Sequence, residues 1–166
     1  ITHVGIWTYE LEKRLGYPVL NLGITGNQLL EDSDLPIVKG LFGESTLNRL
    51  DKDVITRQGA GAIIVCIGIN DIIHSVSCKN KDKINSIDII QGLTLIGKKS
   101  KDAGLVPFIA TITPFKHFKS IVSKDAIDMR HRVNDWIKDN DIYDDYFDFD
   151  KMIRDTDDCD IIAKEY

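Results

Sequence analysis

A chain of 166 residues that is 43% hydrophobic and 28% charged can fill one sizeable core and is short for two, so a single domain is expected. A formal net charge of −5 argues against nucleic-acid or anionic-membrane partners, whose phosphates want a basic face. No apolar run approaches membrane-span length. The three cysteines, Cys66, Cys78 and Cys159, form neither a CxxC pair nor an even disulfide set.

In chain order, Leu11 and Leu15 lie four apart among charges, which predicts an amphipathic helix over Thr8–Gly16 closed by Gly16. Val19–Leu22 is a short apolar strand that runs into Gly23-Ile24-Thr25-Gly26-Asn27. Paired glycines there leave backbone N–H groups clear to face a ligand. Glu31–Gly43 has little periodicity and reads as loop. Leu47, Leu50 and Val54 recur at helical spacing within Glu44–Ile55. Ile63–Ile67, apolar, rich in β-branched side chains and bounded by glycine, reads as a central strand covered on both faces. Inside it, Cys66 behaves as a small hydrophobe. The strand delivers Asn70 and Asp71 just past its carboxyl end, where open α/β sheets carry their ligand crevice.

His74–Asp82 is polar and predicts an exposed loop. Ser86 is an N-cap candidate for a helix to about Ala103, with Ile89, Leu93 and Ile96 on one stripe. Lys98, Lys99 and Lys101 suit its C-terminal dipole. Leu105–Ile112 is a third apolar run, ended by Thr113-Pro114. A helix over Lys124–Lys138 buries Val133, Trp136 and Ile137, and Tyr146–Phe149 is a last short strand. Such alternation of helix and strand predicts a three-layer α/β/α domain with a flavodoxin-like parallel sheet.

The ordered blocks NLGITGN, VCIGIND, ATITPF, RVNDWI and YFDFDKMIRD resemble those of the SGNH hydrolases, also called GDSL esterases and lipases. The likeness spans nearly the whole chain and is closest to the acetylxylan and related carbohydrate esterase branch. By that resemblance Gly26 and Asn70 match the family's glycine and asparagine, which donate to the oxyanion. Thr2, Asn27, Asp71 and Thr113 are the expected substrate contacts. The resemblance further implies a serine esterase acting on small acyl esters, O-acetylated carbohydrates among them, through an acyl-enzyme with no metal or cofactor. A catalytically inactive ester- or carbohydrate-binding module of the same fold is the alternative.

Serine and histidine of the family pattern have no match among residues 1–166. Ile1-Thr2 resembles the IT that follows the serine in GDSIT, which would put the nucleophile just before Ile1 and the DxxH block shortly after Tyr166. In the flavodoxin-like strand order 2-1-3-4-5 the first strand would then also lie upstream. A gap is expected between Val19–Leu22 and Ala62–Ile67, and residues 1–166 alone are expected to be inert. Asp128-Met129-Arg130-His131 does spell DxxH, but within an amphipathic helix, where an i,i+3 surface pair is the simpler account. The acidic run Asp139–Asp150 lacks the spacing of a calcium loop. Trp7 and Trp136 are expected to be core or groove aromatics, with Trp7 nearer the expected serine.

Overall fold

The computed structural model describes residues 7–32, 41–77, 84–118 and 122–166. The elements run α1 (Trp7–Leu15), α2 (Thr46–Leu50) continuing into a π-helical turn over Asp51–Ile55, β1 (Ala62–Val65), α3 (Ile69–Ser77), α4 (Ser86–Asp102), β2 (Val106–Ala110), α5 (Lys124–Asp139), β3 (Asp145–Phe147) and α6 (Phe149–Ile153). The strands pair in parallel in the order β1-β2-β3, with Ile64 opposite Phe108, and Phe108 opposite Asp145. Parallel neighbours need crossover connections, which α3 with α4 and then α5 supply. The fold is α/β, as the alternation of elements predicts.

Helix ends follow local chemistry. Asn85, rather than the expected Ser86, caps α4: its side chain accepts from the N–H groups of Ile87 and Asp88 while Asp88 reaches back to the Asn85 N–H. Ser123 and Ser45 cap α5 and α2. The loop expected from His74 is helix as far as Ser77, because Ile69, Ile72 and Val76 recur at helical spacing and Asp71 suits a first turn. The rest of that loop lies outside the described residues. At the far end of α4, Lys99 pairs with Asp51 at 2.8 Å and Lys101 with Asp144 at 3.1 Å.

Side chains alternate across the sheet. One face sends Val65 and Ile109 into a core with Ile72 of α3, Ile89, Leu93 and Ile96 of α4, and Val133 and Ile137 of α5. The opposite face carries Ile64 and Phe108, half-buried, and Phe147, exposed; Phe147 stacks on Phe149, and Trp7 meets Phe149 edge-on at 6.0 Å. Trp136 packs edge-on against Tyr143.

Two strand expectations are corrected. β1 stands at one margin of the described sheet, not at its centre; Ile63 and Ile64, on its two faces, are half-buried, and Cys66, expected inside it, is exposed beyond its end. Val19–Leu22 forms no ladder. Side chains take its backbone groups instead: the Val19 N–H donates to Glu12 at 2.9 Å, and the Leu22 carbonyl accepts from Arg49 at 2.9 Å.

Helix α5 holds the largest departure from a hydrophobic pattern. Arg130, 2% exposed, and Asn134 lie buried in it. Asn134 mimics a strand neighbour, accepting from the Ile112 N–H at 2.7 Å and donating to the Ile112 carbonyl at 2.9 Å. The Arg130 guanidinium donates to Asp150, to Asp160 at 2.6 Å, and to the carbonyls of Ile112 and Cys159. One buried cation thereby ties α5, the exit of β2, α6 and the final turns together. Arg130→Ala would strand buried Asp150 without its main partner, and we expect a loss of about 3 to 5 kcal/mol in urea unfolding; a loss below about 1 kcal/mol would show that the network contributes little.

Acid should weaken the same region. Burial alone would raise the Asp160 carboxyl, but hydrogen bonds from His131 and Arg130 and the guanidinium charge outweigh it and hold it below its usual range. A carboxylate lowered in the folded state contributes stability that is complete above the unfolded pKa, about 3.9, and is lost as pH falls through the folded value. Urea midpoints should therefore drop below about pH 4, and Asp160→Asn should flatten that drop; an unchanged acid profile in the variant would contradict the assignment.

Candidate functional site

Two loops meet beyond the carboxyl end of β1. The first, around Gly26, is a tight turn in which the Asn27 N–H donates to the Ile24 carbonyl at 3.1 Å and Gly26 adopts φ +76°. A Cβ at Gly26 would stand 2.2 Å from the Phe42 ring, so the position demands glycine on both conformational and steric grounds. Among the described residues the Gly26 N–H has no partner.

The second loop is short. The chain leaves β1, passes through Gly68 at φ +115°, and enters α3 at Ile69, so Asn70 and Asp71 occupy its first turn. Asp71, 0% exposed, turns back to the first loop: its carboxylate accepts the Leu29 N–H at 2.8 Å and the Leu30 N–H at 3.0 Å. Burial pushes its carboxyl up, and the backbone N–H groups of Leu29 and Leu30 offset that only in part. Asn70, half-buried, donates through Nδ2 to the Asn27 carbonyl at 3.0 Å. The carboxamide of Asn70 is thus fixed one residue from Gly26.

Two of the expected substrate contacts bond their side chains within the protein. Asn27, 1% exposed, spends its side chain inside the protein: Nδ2 donates to the Phe42 and Glu44 carbonyls, and Oδ1 accepts from Thr46 and from Nε and Nη2 of Arg49. Asp71 is equally committed to backbone N–H groups. Both side chains hold the loop in shape. Thr113 follows β2 and is half-buried, whereas Thr2 lies outside the described residues.

Arg49 carries no signal of its own in the sequence, since a helical arginine four residues before an aspartate has the spacing of an ordinary surface pair. The Arg49–Asp53 contact exists at 3.2 Å, but the same guanidinium also grips Asn27 and the Leu22 carbonyl. His131 does not form the expected pair with Asp128. Its Nε2 turns to Asp160 at 2.6 Å instead. His117 lies against the Phe118 ring.

No protein-family model matches this chain, and no curated protein matches it in sequence. Among solved structures, it is similar to a candidate lipolytic protein of the G-D-S-L family from Desulfitobacterium hafniense DCB-2. The two share a TM-score of 0.64 at 16% identity, over 95% of this chain and 73% of that one. At that identity the likeness is one of fold.

Gly26→Ala should cost about 1 to 3 kcal/mol, since it forces a side chain into positive φ and displaces Phe42. Thermal denaturation measures it; an unchanged melting temperature would mean that the turn relaxes freely.

Proposed function

We propose, from the fold it shares with a G-D-S-L lipolytic protein and from the Gly26–Asn70 arrangement, that this chain is the scaffold of a serine ester hydrolase acting on small acyl esters. O-acetyl groups on carbohydrates are the narrower substrate class, on the strength of the sequence resemblance alone. The observation that carries the reading is the bond from Asn70 Nδ2 to the Asn27 carbonyl at 3.0 Å.

Attack on an ester carbonyl turns its oxygen into an anion, and donors fixed in advance at that point lower the barrier without reorganising. Gly26 contributes a backbone N–H with no side chain in front of it. Asn70 contributes a neutral carboxamide that no pH titrates. One of its two N–H bonds is spent on the Asn27 carbonyl, which sets the amide's orientation; the other remains for the oxyanion. Asp71 and Asn27 act behind them, the first by tying the Leu29–Leu30 backbone to α3 and the second by joining the Gly26 turn to Arg49. A nucleophilic serine and a histidine base are the partners this reading requires beside these donors.

In a protein that carries both partners, Asn70→Ala should lower kcat by about 10²- to 10³-fold with little loss of folding stability. Turnover of short-chain and acetylated-sugar esters measures it, with urea unfolding as the control. Near-normal turnover in the variant would make Asn70 a structural residue and remove the proposal's main support.

A further inference from the structure

The geometry points to a binding site for a borderline-soft divalent transition-metal ion, of the zinc class, formed by His131, Cys159 and Asp160. Their ligand atoms, an imidazole nitrogen, the thiol sulfur and a carboxylate oxygen, all lie within 4.8 Å of one another. A zinc ion about 2.0 to 2.3 Å from each would hold such atoms roughly 3.3 to 3.8 Å apart. The set therefore has to contract by up to about 1 Å at its widest, and His131 Nε2 has to move off Asp160 Oδ1, 2.6 Å away, and off Arg130 Nη2, 3.2 Å away. His131 is exposed and its ring can turn through that distance without disturbing the core.

The supports of the three ligands are already fixed. His131 stands within the 16-residue helix α5. Cys159 and Asp160 are neighbours on a turn held from several sides: buried Arg130 donates to the Cys159 carbonyl at 3.2 Å and to Asp160 Oδ1 at 2.6 Å, the Lys116 N–H donates to the Asp160 carbonyl at 3.0 Å, and the Asp160 N–H donates to Asp158 at 3.1 Å. Outer-shell bonds of this kind orient the ligands of metal centres. The guanidinium beside the site does not bar a cation, because Asp150 already faces its charge and Asp160 keeps a second oxygen for the metal. A solvent-open cleft lined by Lys116, Ser123, Asp128, His131 and Asp160 gives the ion a way in and leaves room for water as a fourth ligand.

One nitrogen, one sulfur and one oxygen ligand select zinc, cobalt or a similar ion over magnesium or calcium, which want oxygen alone. Binding is a ligand exchange without redox. The thiol gives up its proton to solvent as the metal–sulfur bond forms, and the imidazole binds through Nε2 with its proton on Nδ1.

The site is independent of ester hydrolysis, and its test uses no activity. Reduced protein is titrated with Co²⁺ and followed for the near-ultraviolet thiolate-to-cobalt charge-transfer band, then competed with Zn²⁺. The expected result is one equivalent bound, with the band lost in Cys159→Ser, affinity at least about tenfold weaker in His131→Ala, and both kept in Cys66→Ser. Unchanged circular dichroism of these surface variants shows that they fold. Failure to develop the band, a band that survives Cys159→Ser, affinity unmoved by His131→Ala, or several weak equivalents without thiolate character would each overturn the proposal.

Discussion

The bond between Asp71 and the Leu29–Leu30 backbone is the constraint on which the candidate site rests. It joins positions 42 apart in sequence, inside the protein, where an unpaired carboxylate would be expensive and two unpaired N–H groups little better. Each side of the bond satisfies the other. As a result the turn that carries Gly26 and the helix that carries Asn70 cannot drift apart without exposing both. Asn27 repeats the device on the other flank, with every polar atom of its side chain taken by Phe42, Glu44, Thr46 or Arg49. On the proposed reading, rigidity of this sort spares the donors reorganisation as charge develops.

What the sequence made legible was whatever depends on local pattern. The apolar runs at Ala62–Val65 and Val106–Ala110 and the stripe of Ile89, Leu93 and Ile96 announce their elements, because burial dictates their spacing. Position did the same for Gly26 and Asn70, which both stand near turns that end apolar runs. What stayed hidden depends on partners distant in the chain. Val19–Leu22 has the composition of a strand, yet a strand exists only by pairing, and side chains of Glu12 and Arg49 reach its backbone instead. Asn70 and Asp71 look like loop residues because short polar side chains favour turns, although the same chemistry suits the first turn of a helix.

Arg130 and Asn134 show the same limit from the other side. A periodicity argument sends charge and amide to solvent, so it cannot anticipate a guanidinium buried among two carboxylates and two carbonyls, or a carboxamide that finishes a strand's hydrogen bonding. The information was divided between Arg130, Asp150 and Asp160, none of which is unusual alone. Arg49 is silent for a related reason: its spacing to Asp53 is that of a common helical surface pair, and the more distant bonds to Asn27 and Leu22 carry no sequence signature.

The attachment of the last turns to Arg130 has a consequence for how the molecule comes apart. Residues 154–166 add little to the hydrophobic core, where Ala163 is their one buried apolar side chain. They are held by the Ala163 N–H on the Ile153 carbonyl, by the Lys116 N–H on the Asp160 carbonyl, by the pairing of Lys116 with Asp158, and by the guanidinium. A segment fastened in this way has an opening free energy of its own, below that of global unfolding and set by charge more than by apolar area. It can detach as a unit while the sheet and its helices stay intact, and ionic strength will shift how often it does so, since the outer of those charges lie within reach of screening ions and the inner one does not.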